Sequence, residues 1–200
     1  MLNGSSSRTL NLKTKNSMTI TPKLASDLID LSDLPGALAT AVSELLDFAG
    51  LALTRAAQRE NESAEYGACR LHLDGSAVVF RVAKTTPTKL GQFVTIWRRP
   101  RPGENITPLD SGDGVDLVIV RVADACRQGY FVFPQQALIK YGVMSCSGKG
   151  GKRAIRVYPP WCSPVASAAL KTQQWQLRYF VSLDAEDGIA RMRMRELLHR

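Results

Sequence analysis

The chain has 200 residues, 44% of them hydrophobic, and 26 lysines and arginines against 18 acids give it a net charge of +8. That is enough apolar material for one buried core and too little length for two sizeable domains. Only two histidines, His72 and His199, lie 127 positions apart, and no apolar run approaches the ~18 residues of a membrane helix, which excludes histidine-rich metal centres and a helical span.

Residues 1–26 are polar and aperiodic, so a disordered basic tail is expected there, with a single domain over 27–200. Ser32 or Asp33 can cap a helix and Pro35 suits its first turn. Leu38, Val42, Leu45, Leu46, Ala49, Leu53 and Ala57 then keep the three-and-four spacing of an amphipathic helix, bent or divided at Gly50. Cys69 to Leu73 and Ala77 to Ala83 predict a hairpin about Asp74-Gly75, since that pair adopts the positive φ angles of a tight turn. Gln92 to Arg98 is another expected strand, followed by a loop over 99–114. Val115 to Val122 is a nearly unbroken β-branched run, as in a buried strand, and Gly129 to Pro134 is a short aromatic one. One or two helical turns over Gln135 to Tyr141, a strand over Ala154 to Tyr158 stopped by Pro159 and Pro160, a helix from about Ser163 to Phe180 and a short basic C-terminal helix complete the chain. The order predicts an α/β to α+β single domain, a central mixed sheet flanked by helices.

Charge is distributed unevenly. Residues 1–26 carry four cations and no acid, residues 27–65 eight acids against two cations, and residues 66–181 sixteen cations against six acids. Within the last, 81–101 holds Arg81, Lys84, Lys89, Arg98, Arg99 and Arg101, and 149–156 holds Lys149, Lys152, Arg153 and Arg156, both without a carboxylate. If the two stretches meet in space they form a positive face.

Catalytic chemistry is poorly provided for. A serine or cysteine nucleophile needs a base, and the one histidine well inside the fold, His72, alternates with Arg70 and Asp74 on the solvent side of its strand. None of the acids has a lysine two places downstream, so the acid-x-Lys element of magnesium-dependent nucleases is missing. Ser147 to Arg153 offers amides and cations of the kind that cradle phosphate, but lacks P-loop spacing. Cys69, Cys126, Cys146 and Cys162 form no C-x-x-C pair and are expected to be reduced thiols; no metal site is expected. With no signal-like N-terminal segment, the expected location is cytoplasmic. Phe93, Trp97, Tyr158, Trp161 and Trp175 lie near the basic stretches, and most of them are expected to be structural.

Five blocks in order, Glu65-Tyr66-Gly67-Ala68-Cys69, FRVAKTTPTKLGQFVTIWRR at 80–99, GYFVFPQQALIKYGVMS at 129–145, GKGGKRAIRVYPPW at 148–161 and KTQQWQLRYF at 171–180, resemble the MepB family of bacterial proteins over about 62–181. The family takes its name from a gene beside a multidrug efflux pump and its regulator, and the resemblance implies a small cytoplasmic protein with a restriction-endonuclease-like topology. In that topology the strand ending Val82-Ala83-Lys84 keeps the lysine of a nuclease but has Val82 where the acid would stand, so the site is degenerate. Three functions follow. The first is a binding module for DNA, RNA or a nucleotide, without cofactor, in which Arg81, Lys84, Lys89, Lys149, Lys152, Arg153 and Arg156 meet phosphates and Trp161 stacks or packs. The second is a magnesium-dependent phosphodiesterase using Glu65 and Asp116 with Lys84. The third is a regulatory domain whose basic face meets an acidic partner protein. Arg81 or Lys84 is also available for a core salt bridge, for example with Glu65.

Overall fold

The computed structural model describes residue 1 and residues 31–60, 67–183 and 187–199; the tail expected over 1–26, beyond its first residue, and Glu65 lie outside the described residues. Helix α1 (Gly36–Ala49) buries Leu38, Ala41, Val42, Leu45, Leu46 and Ala49, the stripe that the spacing predicts. Its N-cap is Pro35 without a side-chain cap bond, in place of a cap from Ser32 or Asp33. It stops at Gly50, whose left-handed φ of 64° lets its N–H reach Leu46 C=O. The helical pattern does not continue: Leu53–Arg59 is strand β1, antiparallel to β2 (Cys69–Leu73). Leu53 and Ala57 are four apart, which is one helical turn and also two strand repeats, and pairing with β2 decides between them.

Strand β3 (Ser76–Val82) turns back from β2 through Asp74 and Gly75, with φ of 47° and 84°. The chain then leaves this sheet for β4 (Lys84–Thr86), β5 (Lys89–Thr95), β6 (Trp97–Arg98) and β7 (Thr107–Pro108), and returns as β8 (Leu117–Ala123), parallel to β3. Strand β9 (Gln128–Pro134) runs antiparallel to β8 and leads into α2 (Gln135–Lys140). After β10 (Ala154–Val157), α3 (Ser167–Gln176) is shorter than expected. A 3-10 turn over Leu177–Tyr179 leads to β11 (Phe180–Ser182), which pairs with β9, and α4 (Asp187–Leu198) follows. The helix yields to a strand there because Phe180 packs on Phe131, ring centroids 5.1 Å apart, and β9 needs an edge partner. Gly129 permits the pairing: a Cβ on it would sit 2.5 Å from Val181 C=O.

The main sheet therefore has the order β1-β2-β3-β8-β9-β11, and a second sheet the order β10-β5-β4. Strand alternation separates two cores. Leu71, Phe80, Ile119, Tyr130 and Val132 face α1 and α4. Val79, Val118, Val120, Phe131 and Phe133 face Val94 and Ile96 of β5 and its flank, Val157 of β10 and Leu138 of α2. The result is an α+β domain with a mixed central sheet covered by helices on one side and by the small sheet on the other.

Candidate functional site

Cross-strand register on the small sheet brings the two basic stretches together. Lys84 of β4 and Arg156 of β10 are both direct partners of Phe93 on β5, so Lys84, Phe93 and Arg156 form one row on one face. Lys84 is exposed and Phe93 and Arg156 half-buried. The Arg156 guanidinium is turned along the sheet: Nη1 donates to the carbonyls of Lys89, Leu90 and Gly91 at 3.1–3.4 Å, and Nη2 to Thr86 Oγ1 at 2.7 Å. It ties down the β4–β5 turn that carries exposed Lys89. Tyr158, two residues on, lies over Gly91, where a Cβ would come within 2.7 Å of its ring. Lys152 and Arg153, both exposed, precede β10.

Next to this face, β10, α3 and Tyr141 enclose a cleft of about 290 Å³. Trp175 and Tyr141 are stacked there at 4.3 Å, and Lys152 and Arg156 also line it. Gln176 is buried, its Nε2 donating to Arg156 C=O and its Oε1 accepting from Tyr158 N–H, both at 2.9 Å.

The other arginines of the first basic stretch are engaged elsewhere. Arg81, expected on the binding face, has no exposed surface; its Nη2 meets Glu60 Oε2 at 2.6 Å and its Nη1 donates to Phe80 C=O. The core ion pair is made with Glu60, where Glu65 was the expected partner. Burial pushes the neighbouring Cys69 thiol up to about 12, against the pull of Arg81. Arg98 pairs with Asp113 at 2.6 Å, Arg99 donates to Glu104 C=O, and Arg101 lies 3.5 Å from Glu104. Alternation along β3 sends Arg81 inward beside Val79.

The glycine-rich loop is filled by the protein's own carboxylate. Asp110 Oδ2 accepts from Gly148 N–H at 2.8 Å and Ser145 Oγ at 2.7 Å, and Oδ1 from Gly112 N–H at 3.0 Å. These bonds, Gly148 first, lower its carboxyl to about 2. Lys149 stands exposed at the loop's tip. Asp116 accepts from Ala77 N–H at 2.8 Å and clips the start of β8 to the start of β3. Lys84 follows the far end of β3, so the two are separated by most of a strand, roughly 15 Å or more at ~3.3 Å per residue. The structure does not bring this part of the nuclease set together, and among the described residues no group of three His, Cys, Asp or Glu could hold a metal. Trp161 packs edge-on against Phe180 with Arg127 5.4 Å above its ring. Sequence reasoning passed over Tyr141, Gln176 and Asp110; the glutamines of the 171–180 block were the available signal for Gln176, and nothing marked Asp110.

Fold and surface together define a small basic α+β protein whose cations gather on a secondary sheet. The chain belongs to the MepB-like family, whose model matches residues 60–182. It is similar to the crystal structure of MepB at 32% identity and a TM-score of 0.61, covering 65% of this chain and 89% of that one. No curated protein matches. No helix among the described residues is long and apolar enough to cross a membrane.

Proposed function

We propose that the chain binds nucleic acid or another phosphate-bearing ligand through the exposed face of the β10-β5-β4 sheet. The observation that carries this is the Lys84–Phe93–Arg156 row, an aromatic ring between two cations. Phosphate contacts fix position and aromatic faces accept bases, so the pairing of the two suits a polynucleotide. Lys89, Lys152 and Arg153 extend the charge, Lys149 adds to it from the glycine-rich loop, and Arg156 acts chiefly by holding the Lys89 turn. The scaffold fits a restriction-endonuclease-like protein with a degenerate centre: β3 and β8 are parallel between antiparallel neighbours, and Val82 packs against the core where a nuclease would hold an acid.

The test is anisotropy of a labelled DNA duplex and a labelled RNA over a range of salt. Binding should weaken steeply with salt, and the Lys84→Glu, Lys89→Glu double variant should lower the slope of the duplex by about two. Binding that ignores salt, or an unchanged slope in the double variant, overturns the reading.

A further inference from the structure

An ordinary surface helix buries its apolar stripe and exposes its polar one, and α3 does the reverse. Its single buried residue is Gln176, which holds β10. Gln173 Nε2 donates to Pro159 C=O at 3.1 Å and to Cys162 C=O at 2.7 Å. Glutamines therefore fix the inner face, beside half-buried Trp175 stacked on Tyr141. Leu170 and Leu177, seven positions apart and so on one side of the helix, face solvent with Gln174 between them.

Further apolar surface collects around this stripe. Val165 precedes the helix. Arg193 of α4 donates to the C=O of Arg178, the residue after Leu177, and Ile189 and Met192 lie within one turn of Arg193. Among the described residues seven large apolar side chains are exposed, and five of them are Val165, Leu170, Leu177, Ile189 and Met192, at 37 to 94%. Such residues scattered singly need no explanation, but five on two helices joined by that bond mark a contact surface.

Charge indicates what it contacts. Lys171 and Arg178 are exposed, each one position past a leucine, and line one flank of the stripe. No carboxylate occurs from 125 to 183, so the chain around the stripe offers only positive charge. A second copy would set these cations against their equals, on a chain already at +8. Leucines at i and i+7 have the anchor spacing by which an apolar face receives an amphipathic helix.

We propose that the outer face of α3, with Ile189 and Met192 of α4, docks an amphipathic helix of another protein, one whose apolar side is bordered by carboxylates that meet Lys171 and Arg178. The site is separate from the basic sheet, and neither reading depends on the other.

The test uses the whole chain and two labelled helical peptides with leucines at i, i+3, i+4 and i+7, one bordered by glutamates and the other by lysines. The glutamate peptide should raise the anisotropy on binding, and the lysine peptide should bind about tenfold more weakly. Leu170→Asp and Leu177→Asp should each weaken the glutamate peptide about tenfold, and the Lys171→Glu, Arg178→Glu double variant should reverse the preference between peptides. Thermal unfolding should be unchanged in all of them, because these side chains are exposed. The Lys84→Glu, Lys89→Glu protein should bind the glutamate peptide as the parent does. Binding lost in that protein and kept in Leu170→Asp puts the acidic peptide on the basic sheet and overturns the α3 site. Sedimentation of the parent chain gives the other arm: a dimer that Leu170→Asp dissociates makes a second copy the occupant and overturns the partner class. A monomer that binds neither peptide overturns the proposal.

Discussion

The Arg81 guanidinium meets the Glu60 carboxylate at 2.6 Å with no part of Arg81 open to solvent. Glu60 also holds Arg70 at 3.1 Å, so one carboxylate joins β2 and β3 at their shared end. Burial works against the charge on Arg81 and Glu60 works for it. Removing one partner of a buried pair leaves the other uncompensated, so Glu60→Gln should cost about 3 kcal/mol and lower Tm by about 6–12 °C. The double variant Glu60→Leu, Arg81→Met, which removes both charges, should recover most of that loss in thermal denaturation.

Asp110 supplies an acid limit to the glycine-rich loop. Its folded carboxyl titrates near 2, below the ordinary value of about 3.9, because Gly148, Gly112 and Ser145 bond its charged form. A depressed carboxyl stabilises the fold at pH above its unfolded value, and that contribution is lost as pH falls from about 4 through about 2. The Gly148 amide resonance should follow this titration with a midpoint near 2, and Asp110→Ala should abolish the transition.

The cysteines should separate by reactivity. Cys126 and Cys146 are exposed, Cys162 is half-buried, and Cys69 is buried with its thiol pushed up to about 12. At neutral pH a thiol reagent should modify Cys126 and Cys146 promptly, Cys162 more slowly, and Cys69 only when denaturant opens the β2–β3 hairpin. Peptide mapping of the modified protein against time measures the order.

Gln176→Leu tests whether one side-chain amide completes the edge of β10. The substitution keeps an apolar volume and leaves Arg156 C=O and Tyr158 N–H without their partner, a cost of about 2 kcal/mol. Denaturant unfolding should record that loss, and amide exchange at Tyr158 should rise well above the general increase.

Local chemistry was legible in the sequence. The Asp74-Gly75 turn, the β-branched run that became β8 and the apolar stripe of α1 all stand where residue types placed them. Features set by distant partners were not. Leu53–Arg59 carries a spacing that helix and strand share, and Phe180 joins a strand only because Gly129 of β9 lets the chain approach. The basic stretches were visible, yet the crossing from the main sheet to the small one after Val82 separates Lys84, which reaches the surface, from Arg81 three residues earlier, which is buried against Glu60. Asp110 within the glycine-rich loop depends on contacts 35 and 38 positions along the chain, beyond any local pattern.

The parallel pairing of β3 with β8 has a kinetic corollary. The hairpins β2–β3 and β8–β9 join near neighbours, whereas β3 and β8 close over the whole 83–116 excursion and β10 must return to β5 from the far side of β9. Contacts so distant along the chain form late in folding, because loop closure is unfavourable until both ends are already ordered. Lys84 and Arg156 are 72 positions apart and meet only across Phe93. A chain still emerging from the ribosome, or one cut before residue 154, holds the lysines and arginines without the face that arranges them.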